Sequence, residues 1–409
     1  MQQIFEPTPK PTGSTERLHA LDNLRAVMMW LGIVLHAAAI YMVVPSPIPW
    51  HDTQSSVVAD ILVVVIHSFR MPVFFILAGF FVMLLVRKRG TRGMLKNRLQ
   101  RLGLPFVLLW PALFIACIVL ALLFVHRMAR GTWGLDPRLV PQPKGVPLVN
   151  TLHLWFLWML IWFSVLTVVL APLVKRSPVA LRERMSRAFE WLASSYGGFA
   201  LLALPLAVMG AFYKDGIVTA SGAFLPPLIE WLHNGLFFSF GMALFAHRAQ
   251  MLALYQARWL VNFWAGLVFY AMAMSLFGVQ HEHLVAVPHF EFWFALTYNC
   301  CTWLLSLSLI GLFLRFMGRQ NPALDYLAQS SYWVYLIHFP ATIAFGALLY
   351  GVPLPALVKL SINVAASTLF SLFTYHLLVR SSALGQLLNG RRHTFTWLPT
   401  RATTVPAMG

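Results

Sequence analysis

A chain of 409 residues that is 59% hydrophobic and only 11% charged, with mean hydropathy +0.71, has too little polarity to cover a water-soluble body. Soluble domains give about a quarter of their residues to charge. The formal charge of +17 would suit nucleic acid if the 30 Lys and Arg formed one basic face, but they fall between apolar runs, so a nucleic-acid partner is excluded and a lipid bilayer is implied.

A spanning helix needs about 20 predominantly apolar residues. Runs of that kind predict helices over 20–44, 57–86, 102–126, 152–174, 196–213, 228–247, 259–278, 291–313, 327–349 and 356–379, an all-α polytopic membrane protein with ten crossings. The first run is too long for a signal-peptide core and no small-residue cleavage site follows it, so it is expected to be retained. Cys117, Cys300 and Cys301 lie inside apolar runs and offer no disulfide framework.

An even number of crossings puts both termini on one side, and Lys and Arg select the cytoplasmic side. All but eight of these residues lie in the termini and in the loops on the same side as the termini. Arg127, Arg130, Arg138, Lys144 and Lys214 lie opposite, and Arg25, Arg70 and Lys359 lie within spans. The expected division is a cytoplasmic segment 1–19, a membrane domain 20–379 and a polar, Thr-rich cytoplasmic tail 380–409 whose residues from 381 on are expected to be poorly ordered. Helical spans fit a bacterial inner (plasma) membrane, since outer-membrane proteins show short alternating strands.

Ionisable groups at bilayer depth cost roughly 2.5–3.5 kcal/mol, so each one asks for a reason. In the first span Arg25 and His36 are eleven residues apart, about 16 Å along nearly one face. His36 can be an interior histidine bonded to a neighbouring helix or a working imidazole. Arg25 can snorkel or, with Asp22 three residues before it as partner, form a fixed charge. The second span carries His67 and Arg70 on one face, Pro72 loosening the helix after them and Gly79 as a second soft point. Beyond it lies a basic stretch with Lys96, Arg98 and Arg101; the last two, spaced i, i+3, could converge on a phosphorylated ligand.

His153 and Trp155 open the fourth span, where tryptophans serve as an interfacial belt or as faces for sugar rings; Trp50, Trp133 and Trp231 are further outer-side candidates. His338 is another mid-span imidazole, two residues before Pro340. No Gly-rich phosphate loop, HExxH zinc pair or GxSxG elbow occurs, and no metal ligand set is expected.

With these residues in view the chain resembles the type 3 membrane acyltransferase family. Its marks are an Arg and a His separated by ten residues in the first helix, here Arg25 and His36, and Arg-x-x-Arg after the second, here Arg98-Leu99-Gln100-Arg101. The runs Leu21-Asp22-Asn23-Leu24-Arg25, Ile66-His67-Ser68-Phe69-Arg70-Met71, His153-Leu154-Trp155-Phe156-Leu157 and Tyr335-Leu336-Ile337-His338 extend the likeness across nearly the whole chain, toward members implicated in succinylating osmoregulated periplasmic glucans. Ala78-Gly79 stands where Ser-Gly is often found.

The resemblance implies O-acyl transfer from cytoplasmic acyl-CoA (succinyl-CoA or acetyl-CoA, with no permanently bound cofactor) to a hydroxyl of a periplasmic glucan. On that reading His36 is the general base, with Arg25 and Arg70 as further catalytic groups. Lys96, Arg98 and Arg101 hold the donor, and His67, His153, Trp155 and His338 the acceptor. A two-step route through acylated His36 stays open. The alternatives are O-acetylation of another surface polysaccharide or lipid-linked glycan, and a secondary transporter or glycan exporter. The last sits poorly with Asp60, Glu230 and Glu291 near predicted outer ends rather than at mid-membrane.

Overall fold

Hydrocarbon offers no partner for backbone N–H and C=O groups, and a helix satisfies them within itself. The computed structural model describes residues 12–44, 48–140, 147–282, 286–319, 321–390 and 392, with side chains from residue 19 onward, and among them there is no strand. Twelve helices follow in order: α1 (Thr12–Ala38), α2 (Val57–Arg98), α3 (Leu104–Arg130), α4 (Trp155–Arg176), α5 (Val179–Ser194), α6 (Tyr196–Gly210), α7 (Leu228–Ala246), α8 (Arg248–His281), α9 (Phe290–Phe316), α10 (Pro322–Leu349), α11 (Ala356–Thr374) and α12 (Ala383–Asn389).

Among the described residues eight helical stretches are long and apolar enough to cross a bilayer, nine if α5 and α6, bent by 100° at their junction, are one span. The sequence predicted ten. One stretch, Val57–Arg130, is 74 residues long and doubles back. Its first part starts beside the end of α1, where Asp60 accepts from the backbone of Val43 and Val44, and descends so that Phe81 meets Arg25. Its second part rises beside α10, from the Arg101 carbonyl bonded to Tyr332 up to Phe124 against Tyr350. The helix breaks at Gly90 (φ 69) and widens into a π turn over Leu99–Gly103.

α1, α9 and α10 are mostly buried and form the centre, while α3 and α8 bury few of their residues. α1 packs against α2, α9, α10 and α11. Gly79 is not the soft point expected. A Cβ there would meet the Phe238 carbonyl, and one on Gly241 of α7 would meet the Ile76 carbonyl, so these glycines let α2 and α7 touch backbone to backbone. The helix also continues through Pro72.

At the end of the bundle away from Arg98, Lys359 of α11 donates to both Asp52 oxygens (2.8 and 3.0 Å), with both side chains wholly buried. That pair ties the loop before α2 to α11, and it accounts for a cation the sequence could only mark as lying within a span. The tail also departs from expectation. Ala383–Asn389 is helical, with Leu388 buried and Asn389 donating to the Gln329 carbonyl, because α12 covers the basic end of the bundle. Residues 391 and 393–409 lie outside the described residues.

Candidate active site

A cavity of about 600 Å³ opens at the basic end between α1, α2, α4, α10 and α12, a size that accommodates a large ligand. Arg25 lines it, its Nη2 3.2 Å from Asp22 Oδ1, the i, i+3 pairing read from the sequence. Both side chains are 41% exposed, so the pair orients the guanidinium more than it stabilises the fold. Arg98 lines the same cavity, and its Nε is buried with no hydrogen-bond partner among the described residues. An unmet buried donor costs about 1–3 kcal/mol, which an anionic ligand oxygen would recover.

Deeper in the bundle three imidazoles gather. The His36 ring lies 5.2 Å from that of His338 and 4.8 Å, edge-on, from Phe339, and the His153 ring lies 5.7 Å from His338. Pro340 explains how His153 is held. Having no N–H, it leaves the carbonyl four residues back, that of Leu336, without its helical partner, and His153 Nε2 donates to that carbonyl at 2.9 Å. Leu152, in the left-handed region at φ 46, turns the chain just before it, a strain of about 1–3 kcal/mol that the packed surroundings hold.

Carbonyls only accept, so these bonds fix tautomers. His153 carries its proton on Nε2, and His338, whose Nδ1 faces the carbonyls of Tyr335 (2.7 Å) and Val334 (3.1 Å), carries its proton on Nδ1. The opposite nitrogens, His153 Nδ1 and His338 Nε2, are buried and bare.

Arg25 faces the cavity and His36 does not. Arg70 and Tyr335 lie in the interval. Arg70, 6% exposed, donates from Nε to the Met28 carbonyl (3.1 Å) and reaches Gly32, so it lies along α1 between the two. Tyr335 lines the cavity, packs on His338 and donates to the His153 carbonyl (2.9 Å).

The other predicted residues separate. Arg101 points away from the cavity, bonding the Gln386 and Leu387 carbonyls of α12 at 3.3 and 3.5 Å, because the π turn widens the helix between it and Arg98 and parts their directions. Lys96 is exposed and does not line the cavity. His67 and Trp155 line a smaller recess of about 60 Å³ with His233 and Glu230, where His67 Nδ1 lies 3.1 Å from the Tyr298 hydroxyl. Trp50 is buried against Phe339, and Trp133 is half exposed beneath Arg127.

The bundle thus carries a guanidinium-lined cavity beneath a group of imidazoles. The family model described as an acyltransferase domain, of the type 3 class, matches residues 18–376. The chain belongs to this family. It is therefore a membrane acyltransferase that transfers acyl groups to oxygen. Similar curated proteins are glucans biosynthesis protein C of Escherichia coli O1:K1 / APEC and of Escherichia coli strain K12. Each is 26% identical, over 81% of this chain and 84% of the relative. No solved structure matches.

Within this acyltransferase, Arg25 and His36 lie at two levels of α1, with Arg70 between them. The contributions of Gly32, Tyr335 and α12 were not read from the sequence. For Tyr335 and Gly32 the signal was present only as neighbours of His338 and His36. For α12 there was none, since a seven-residue helix in a polar tail has too few apolar positions to show a period.

Proposed function

We propose that this acyltransferase moves an acyl group, succinyl in the first instance, from acyl-CoA at the cytoplasmic end of the bundle to a hydroxyl of a periplasmic glucan. The single observation that carries this reading is Arg98, which lines the cavity and keeps a buried, unpartnered Nε; Tyr335, which packs on His338 beside His36, lines the same cavity. Phosphate oxygens of coenzyme A suit guanidinium donors. The name of the relatives, glucans biosynthesis protein C, supports a glucan acceptor. The likeness to members that succinylate periplasmic glucans supports the acyl group.

On this reading α2 and α3 each cross the inner membrane, since 74 helical residues would otherwise extend about 110 Å against a hydrocarbon core of about 30 Å. The short α6 crosses after an interfacial α5. Ten crossings result, with both termini cytoplasmic, in keeping with the basic residues around α2, α5 and the tail.

In the reaction, the glucan oxygen attacks the thioester carbonyl carbon while His36 takes the hydroxyl proton. Arg70 faces the negative charge that develops on the carbonyl oxygen. When the carbon–sulfur bond breaks, the imidazolium returns the proton to the thiolate, leaving an ester and free coenzyme A. Arg25 and Arg98 hold the donor.

The test is His36→Ala, shown to insert and remain monodisperse in detergent, followed by mass spectrometry of glucan from the variant strain. Unsubstituted glucan is expected, and wild-type substitution would refute His36 as base. The mass added per site in the wild type distinguishes succinyl from acetyl.

A further inference from the structure

A general base has one nitrogen bare for the substrate and the other held by an acceptor that fixes its tautomer. His36 makes no side-chain hydrogen bond to the described residues, so nothing in its own surroundings chooses which nitrogen is bare. Beside it stands a group built to make that choice. His338 is 1% exposed, and its Nδ1–H is committed to the Tyr335 and Val334 carbonyls. Its Nε2 is therefore a pure acceptor, buried and unpartnered.

Gly32 explains how the two rings come together. Helical side chains lean toward the N-terminus, so the His36 ring covers the surface one turn back, over Gly32. A Cβ on Gly32 would stand 3.0 Å from His338 Nε2 and 2.5 Å from Arg70 Nη2, so the absence of a side chain keeps that space open. The bare Nε2 thus points at the patch the His36 ring covers. The ring centroids are 5.2 Å apart and no hydrogen bond joins the two rings in this structure, so the contact proposed below needs a turn of the His36 ring that brings an N–H onto Nε2.

We propose that His338 is a positioning residue for His36: its Nε2 accepts the His36 N–H, fixes one tautomer, and leaves the other His36 nitrogen bare for the glucan hydroxyl. The inference rests on His36 being the base. A relay runs from the Tyr335 and Val334 carbonyls through His338 to His36. As His36 gains the hydroxyl proton, the positive charge it acquires is shared with the His338 acceptor, and no proton need leave the pair. Arg70 faces the same space with donors only, so it cannot supply this acceptor.

The test compares His338→Phe, which fills the ring's space without an acceptor, with His338→Gln, whose amide oxygen reaches about as far along the side chain as Nε2. Steady-state kinetics are measured with acyl-CoA and a glucan acceptor. In His338→Phe, kcat is expected to fall about 100-fold with KM for acyl-CoA unchanged. His338→Gln is expected to recover most of kcat. In detergent-solubilised protein with labelled histidines, the His36 nitrogen shifts are expected to report one tautomer in wild type and a mixture in His338→Phe.

Wild-type kcat in His338→Phe overturns the proposal, as does a His338→Gln enzyme no better than His338→Phe or an unchanged His36 tautomer. Activity retained in His36→Ala would instead remove the base reading itself. An inactive His36→Ala beside a fully active His338→Phe removes only the positioning role.

Discussion

The two levels of the site differ in how their polar groups are satisfied. At the basic end Arg25 is partly exposed and paired with Asp22, Arg98 keeps one unmet donor, and the space between them is open to large ligands. About three helical turns away along α1 the imidazoles are packed by aromatic rings and anchored to backbone carbonyls, and two bare nitrogens point inward. The first arrangement suits holding a charged, hydrated donor. The second suits proton transfer, where low local dielectric and fixed orientation strengthen each interaction. On the proposed function, one helix carries binding and chemistry at separate depths, and the two should fail differently.

The largest difference is expected from Arg70, which lies between the levels. Arg70→Gln should lower kcat by about 100- to 1000-fold with a modest change in KM, as expected for loss of a donor to developing charge. A change confined to KM would move Arg70 to the donor site. Next, Arg98→Ala should weaken acyl-CoA about 10- to 100-fold in a direct binding measurement, the worth of a charge-assisted hydrogen bond, and leave kcat at saturation nearly intact. Unchanged affinity would take Arg98 out of donor recognition.

Smaller still is Pro340→Ala, which restores the N–H that competes for the Leu336 carbonyl. With its anchor lost, His153 should loosen, and kcat should fall about tenfold while the protein melts no lower. Wild-type turnover would show that the proline serves only the helix. Lys96→Ala marks the floor, since its side chain is exposed and off the cavity. Acyl-CoA affinity and turnover should match wild type, and a marked loss in a titration would extend the donor site beyond the cavity.

Legibility followed the range over which each signal acts. Arg25 with Asp22, the mid-span imidazoles and the two prolines were visible because each is anomalous within a single apolar run. The separation of Arg98 from Arg101 was hidden, because i, i+3 spacing implies a shared face only while the helix stays α, and here it turns π. His153 and Trp155, two residues apart, read as one aromatic belt, yet that spacing on a helical turn points them to opposite sides, His153 toward His338 and Trp155 into the smaller recess. Gly79 read as a weak point and serves as a contact, since only the neighbouring α7 reveals that a side chain would not fit.

The sequence by itself determined the class of molecule: a helical membrane bundle with its positive charge at one end and a few costly polar groups inside, because hydrophobicity and charge act residue by residue. Which of those groups meet was decided only by the tertiary structure. The grouping of His36 with His338 and His153, Arg70 at Gly32, and Lys359 with Asp52 depend on helices brought together from distant parts of the chain, and on small residues and proline-freed carbonyls that have meaning only against a neighbour.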